Sequence, residues 1–550
     1  QDFRKAVIFD ISERNEEDNP SRIESVEHVF DVSGLPYYKT SNLDSAVMFP
    51  VMVIPPRIFD TTFTNLERTT LNNYVFNGGV IIASSLRDPQ LFSMFGVSNP
   101  QNENTRFRMT WDTLAMPEIF DRIEDSMEVE VSLGRTTEPN TFYARSYDLD
   151  GSLSLATYED GTNAFVYNNY GSGHTYLFGI DLRDVIIRNL IDSDFLAHRS
   201  YSNGFEPTTD TYIFVISNII RKHVPNSVFW HTSPRESKAT LMITHDVDAT
   251  SGYDTMGYYA DAEFDRNIQT SYYLTTKYFS DYIAGPFYLG TGNEVQHLLD
   301  KNHVLGSHSV GHFPDFSDES LFPFGEMSII ASDYEPHYDG TSTSGGSILG
   351  EVKVSKDLIE ANHNVTVETF RAGYLEYPDS LPLALDTCGY LYNTNFSANN
   401  VLTNFPYYCV NDNVFSGRKT NVLEIPMTIS DAAYTFPIDA NNYATHVSRW
   451  TNVTRRNTNN FAPTVLLIHP TRMFKLQSQE DYLDSVANLG LDIRPLNHCG
   501  AYWKKRMQTE LSSTLSGNSM LVTVEQPDYD LSIVIDKVSD LDTIRFENQN

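Results

Sequence analysis

Four short islands hold residue types that could do chemistry together. They are Thr244-His245-Asp246-Val247-Asp248, His308-Ser309-Val310-Gly311-His312, Phe370-Arg371-Ala372-Gly373-Tyr374 and Leu466-Leu467-Ile468-His469-Pro470. Two histidines four apart share one face of a helical turn and can reach one metal ion. A carboxylate delivered by another segment completes a two-histidine, one-carboxylate set with positions open for water and substrate. Such a centre suits hydrolysis, because a bound metal lowers the pKa of water to about 7 and polarises a carbonyl. A departing amine must also gain a proton, and a histidine such as His469 titrates in the range that supplies one. Each island has a plainer reading. A His-x-x-x-His arises by chance among 15 histidines, and an Asp-x-Asp after a strand is commonly a cap or turn. An arginine near a tyrosine is commonly a surface or stacking residue, and His469 could be a satisfied core histidine. The order and placement of all four together carry the weight.

The elements that must position them are parallel strands. Ala239–Ile243 and Thr464–Ile468 are buried apolar runs, and each island stands where such a run ends. In parallel α/β barrels every strand delivers its C-terminal residue to the same rim, where catalytic groups gather. Upstream, Ala6–Asp10, Pro50–Ile54 and Gly79–Ala83 read as further parallel strands, with a helix over Leu66–Phe76 closed by Asn77-Gly78-Gly79. The tail alternates apolar and polar residues in Met520–Val524, Leu531–Ile535 and Thr543–Phe546, which predicts a small β appendage. The division that follows is an α/β domain over 1–225, a barrel domain over 238–509 and a β appendage over 510–550.

The four islands resemble, in order and spacing, the motifs of the NodB-type polysaccharide deacetylases, carbohydrate esterase family 4. The resemblance spans about half the chain, from Lys238 to Lys505, and implies a distorted (β/α)7 barrel that removes N-acetyl groups from an amino-sugar polysaccharide. Residue by residue it implies that His308, His312 and Asp248 bind a divalent metal, zinc first and cobalt or nickel as alternatives. Asp246 is then the base that activates water, Arg371 orients it, the backbone at Tyr374 helps hold the oxyanion, and His469 is the general acid. The family's Asp-Asp pair is here Asp246-Val247-Asp248, so a bulge is expected to re-aim Asp248. Exchanged roles for Asp246 and Asp248, or ligation by His245, stay open. Gly373 replaces the family's proline, and the carboxylate that should support His469 is not evident, although Asn393–Ser397 and Leu423–Met427 occupy roughly its place. The alternatives are an O-acetyl esterase or cyclic amide hydrolase on the same barrel, or a glycan-binding protein with a degenerate site. Residues 1–225 resemble a class I glutamine-amidotransferase-like, flavodoxin-like α/β fold through Asn73–Ala83 and Gly171–Asp181. No cysteine precedes Cys388, so that resemblance implies a domain without amidotransfer chemistry.

With 39 basic against 72 acidic residues, a net charge of -33, the chain is unsuited to nucleic acid or an anionic membrane surface. The 40% hydrophobic content can bury a core, and no run approaches the roughly 18 apolar residues of a membrane helix. Residues 238–400 carry 7 basic and 23 acidic side chains, so acidity is densest around the first three islands. That field would attract a partly deacetylated, cationic glycan; solubility or a salty habitat explains it equally. The start at Gln1 suggests a mature or trimmed chain, and sequons at Asn364, Asn395 and Asn452 add to an expectation of secretion. Three cysteines allow one bridge, Cys388–Cys409, or three buried thiols. Oligomeric state is not read from the sequence. The segments 313–350 and 396–421 are long for connections, and Tyr334, His337, Tyr338, Phe405, Tyr407 and Tyr408 could stack on sugar rings or pack within those segments.

Overall fold

The computed structural model describes residues 4–14, 20–191, 202–277, 292–432, 436–528 and 530–549. The chain forms two compact units, one of residues 1–199, 206–235 and 505–550, the other of 200–205 and 236–504.

In the second unit, buried β-rich runs alternate with amphipathic helices, and the outcome is a parallel sheet. Its order is Ile429–Ser430, Thr464–Ile468, Ala239–Val247, Ser271–Leu274, Val304–Ser307, Thr369–Phe370, Tyr392–Asn393 and Lys419–Glu424, all parallel. Tyr407–Val410 adds antiparallel at one edge, and Leu491–Ile493 joins the early part of the central strand. Among the described residues the ladder does not close. Lys419–Glu424 and Ile429–Ser430 are its two ends, yet only residues 425–428 separate them in the chain, and one isolated bridge, Ser397 to Met427, spans the seam. The distorted barrel is therefore a curled, open α/β sheet.

The central strand is buried along its whole length, because its two faces meet different layers. Successive side chains alternate. Leu241, Ile243 and Val247 share one face and enter apolar clusters, the first two with Trp450 and Tyr482 and Val247 with Tyr253, Met256, Leu274 and Phe370. Thr244 and Asp246 share the opposite face to His245.

The first unit holds a parallel set ordered Tyr37–Thr40, Ala6–Phe9, Val51–Val53, Val80–Ser84 and Gly173–Phe178, continued by antiparallel strands Asn163–Tyr170, Leu153–Tyr158, Arg108–Trp111 and Glu130–Ser132. Its helix Asn65–Phe76 begins at a capping box in which Thr64 and Glu67 satisfy each other's backbone N–H groups, an arrangement contributing about 1 kcal/mol. In the tail, Ser519–Glu525 pairs with Leu511–Ser516 and Thr543–Gln549, whereas Ile533–Ile535 leaves that sheet to pair with Val228–Trp230. Among the described residues no helix is long and apolar enough to cross a membrane.

Candidate functional site

The central strand carries Asp246 one residue before its end at Val247, and Asp248 follows directly. The ladder to Ser271–Leu274 runs without a register break through Asp246 and Val247. Side chains two apart on an extended chain face the same way, so both carboxylates enter the site without the bulge expected from the sequence. His245 faces away. Its ring stacks on Tyr272 (centroids 4.4 Å apart) and its Nε2 lies 2.7 Å from Glu263 Oε1 in a buried network, which removes it from ligation.

His308 and His312 are not on a helical turn. Val304–Ser307 ends, and the backbone turns through left-handed conformations at Ser309 (φ 63°) and His312 (φ 54°). Glu351 holds that turn, its Oε2 accepting from the N–H groups of Val310 and Gly311 at 2.9 Å. Gly373 lets the third island approach: a Cβ there would stand 2.7 Å from the His312 ring, a contact the family's proline could not make without displacement. His308 donates from Nδ1 to the Arg371 carbonyl (2.9 Å), which leaves Nε2 facing the cluster.

Donor atoms of Asp248, His308 and His312 lie within 4.8 Å of one another. His308 Nε2 and Asp248 Oδ1 are 3.2 Å apart and buried, and among the described residues neither has a hydrogen-bond partner beyond the other. Two buried polar atoms with no other partner among the described residues, in a set of two imidazoles and a carboxylate, fit a divalent cation. Burial pushes the Asp248 carboxyl up, but His469, His312 and His308 together hold it well below the usual carboxylate range. Burial pushes His312 down to about 4, so its imidazole is neutral, the form that ligates.

Asp246 flanks this triad, with Oδ2 3.8 Å from His308 Nε2. Its Oδ1 accepts from Arg371 Nη1 at 2.8 Å. Arg371 is completely buried and is itself fixed by Thr244 Oγ1, the Thr394 carbonyl and Thr394 Oγ1. His469 also touches the triad, its Nε2 3.4 Å from Asp248 Oδ2.

The partner of His469 is Asp431, which the sequence did not reveal. Asp431 Oδ1 lies 2.6 Å from His469 Nδ1 and Oδ2 accepts the His469 backbone N–H at 3.0 Å. Lys475 Nζ sits 2.7 Å from the same Oδ2. Burial alone would lower the His469 pKa, but the Asp431 and Asp248 charges raise it to about 9. Asp431 directly follows the strand Ile429–Ser430, so it obeys the strand-end rule of the other islands. The strand is only two residues long, too short to register as periodicity.

The two places suggested for that partner do other work. Glu424 accepts from the N–H groups of Asn395 and Phe396 at 2.8 Å and from Asn393 Nδ2 at 2.6 Å, and so shapes the loop that carries Thr394. Burial pushes its carboxyl up to about 7. The unfolded chain releases this proton near 4.5 and the folded chain only near 7, so its protonation stabilises the fold below pH 4.5 and that contribution is lost as pH rises to 7. Wild-type stability should therefore carry a loss on the order of 3 kcal/mol across that window from this group. Glu424→Gln should flatten it, read as the pH dependence of urea unfolding. An unchanged slope would show that Glu424 titrates normally.

Tyr374 stands at the rim, 46% exposed, in a left-handed conformation (φ 55°) with its ring 4.5 Å from that of His312. Among the loop aromatics, Tyr334, Phe405 and Tyr407 are buried; Tyr334 donates to Glu351 Oε1 and Phe405 packs on Trp503. His337 is exposed and Tyr338 and Tyr408 are half-buried. All three cysteines are free thiols. Asn364 and Asn452 are exposed, whereas Asn395 is buried and accepts the Ala372 N–H, so that sequon is not available for a glycan.

Strand-end placement and donor set together define the class: an open α/β barrel with a metal-capable site flanked by a held carboxylate and a held histidine. No family model and no curated protein matches the chain by sequence. Among solved structures, a Mycobacterium smegmatis protein assigned as a polysaccharide deacetylase aligns at 14% identity, covering 50% of this chain and 94% of that one, with a TM-score of 0.38. The chitin deacetylase of Colletotrichum lindemuthianum aligns at 10% identity over 48% and 89%, TM-score 0.31. The carbohydrate deacetylase Agd3 aligns at 9% identity, covering 94% of this chain and 90% of that one, TM-score 0.38. At such scores these likenesses assign neither activity nor site residues, and the functional reading stands on the side chains.

Proposed function

We propose that this protein is a metal-dependent deacetylase that removes N-acetyl groups from a polysaccharide containing N-acetylglucosamine or N-acetylgalactosamine. The observation that carries the reading is the Asp248–His308–His312 triad touched by two differently held groups, Asp246 against Arg371 and His469 against Asp431. Asp248, His308 and His312 would hold the metal, zinc by preference for two imidazoles and a carboxylate. When bound, the ion polarises the acetyl carbonyl and makes water a competent nucleophile near neutral pH.

The chain's own groups do the rest. Asp246, anchored through Oδ1 to the fixed Arg371 guanidinium, accepts a proton from the attacking water. His469 presents Nε2 to the site because Asp431 takes Nδ1–H, and in its protonated form it gives its proton to the departing sugar amine. The Tyr374 ring offers an exposed aromatic face at the rim for a pyranose. The first unit contributes glycan contact rather than catalysis, and the protein works outside the cell, where polymeric amino sugars occur.

Acetate release from chitin oligomers, peptidoglycan or an N-acetylgalactosamine-rich glycan tests the reading. The metal-loaded protein should free acetate from at least one, and a chelator should abolish it; no acetate from any of the three refutes the reading. His308→Ala and His312→Ala should each lower bound metal from about one ion per chain to a small fraction of that, by elemental analysis. Stoichiometric metal in both variants would place the ion elsewhere.

A further inference from the structure

The first unit's parallel sheet gathers arginines at the C-terminal ends of its strands. Arg57 follows Val51–Val53, Arg87 follows Val80–Ser84, and Arg145 lies on the neighbouring strand Ala144–Leu149. Backbone hydrogen bonds tie these ends together: Arg57 N–H to the Ser84 carbonyl (3.3 Å), Ser85 N–H to that of Phe178 (2.9 Å) and Arg145 N–H to that of Gly179 (3.2 Å). Two tips, Arg57 (φ 66°) and Ser85 (φ 51°), are non-glycine residues in the left-handed region, a strain that persists only where the surroundings enforce it.

The carboxylates there are already engaged. Asp181 Oδ2 accepts from Arg57 Nε at 3.1 Å and lies 3.4 Å from Arg22 Nε, and Asp88 is paired with Arg68 at 2.7 Å. Arg87 and Arg145 have no ion-pair partner among the described residues. Arg145 is 8% exposed, its Nη1 reaches only the Leu86 carbonyl at 3.4 Å, and its Nε is buried without a partner. The Arg87 guanidinium lies over the Phe59 ring (5.1 Å), and its Nε is likewise buried and unsatisfied. Burial first, and then the charges of Arg145 and Arg57, hold the Arg87 guanidinium below its ordinary range, against an opposing pull from Asp181.

Like charges brought together with buried N–H groups unmet are destabilising. The chain carries 72 acidic residues, yet among the described residues no carboxylate forms an ion pair with either arginine. The strand ends of an open α/β sheet are also where such folds take ligands. We propose that Arg87 and Arg145 form a fork for an oxyanion, the carboxylate of an acidic sugar or a phosphate group. Guanidinium groups suit that ligand because their paired N–H donors match its oxygens. The site is independent of the deacetylase centre and of the reading given to it.

Titration of the full chain with sodium phosphate, sodium sulfate and sodium glucuronate, at ionic strength matched with sodium chloride, tests the fork by calorimetry and thermal shift. At least one anion should bind saturably, and Arg87→Gln should weaken it by about tenfold or more. Saturation by glucuronate identifies an acidic sugar as the source; saturation by phosphate or sulfate alone identifies a free oxyanion. Arg145→Gln should act the same way, and if that buried change prevents folding, the half-exposed Arg87 decides alone. No saturable binding by any of the three, or wild-type affinity in Arg87→Gln, overturns the proposal.

Discussion

Asp246→Asn is expected to lower acetate release by about 10²–10⁴-fold, the range for loss of a positioned general base, with bound metal nearly unchanged. The structure separates the two carboxylates that the sequence left interchangeable. Asp248 meets both His308 and His312 (3.2 and 3.5 Å), whereas Asp246 is tied through Oδ1 to Arg371 and keeps only Oδ2 toward the cluster. A group so anchored is placed to accept a proton. Asparagine keeps an oxygen for Arg371 but has no charge to receive one. The buried guanidinium would then lack its counter-charge, which costs on the order of 3–5 kcal/mol. Its bonds to Thr244 and Thr394 remain, so the variant should fold with a lowered melting temperature. Turnover and metal content measured together decide the matter: retained turnover refutes Asp246 as base, and lost metal would transfer it to the ligand set.

His469→Ala should distinguish the two acetyl chemistries open to this site. An amine leaves an acetamide poorly unless protonated, so N-deacetylation should fall by about 10²–10⁴-fold. A sugar alkoxide leaves an acetyl ester with less help, so O-deacetylation should fall far less. The basis is the held imidazole: Asp431, with Lys475 beside it, fixes Nδ1 and the backbone N–H and aims Nε2 at Asp248. Parallel assays on N-acetylated and O-acetylated glycans check it. If the variant loses both activities equally, the histidine supports the metal centre rather than donating a proton. If it keeps both, His469 is not the acid.

Much of this site was legible in the chain. Strand-end runs marked Asp246, Asp248, His308, His312 and His469, whereas Arg371, after the two-residue strand Thr369–Phe370, was marked by the order of motifs in the family resemblance. The supporting residues were not legible. Asp431 and Glu424 are lone carboxylates beside short or irregular strands, and Glu351 lies in a helical stretch with no motif around it. The helical turn anticipated for His308 and His312 failed for a related reason: spacing of four satisfies a helix, but the Glu351 carboxylate and the packing of Gly373 on His312 impose a left-handed turn instead. The bulge anticipated at Asp248 proved unnecessary, because extended geometry already aligns positions two apart.

By itself the sequence determined the donor types, their order along parallel strands, and the absence of a cysteine nucleophile in the first 387 residues. Those follow from residue chemistry and local periodicity. Only the tertiary structure decided which aspartate meets the histidines, that His245 turns away, and that Asp431 holds His469. Those contacts join residues 38 apart for Asp431 and His469 and 125 apart for Asp246 and Arg371, separations across which local pattern carries no information. They exist because neighbouring parallel strands, far apart in the chain, end on one rim.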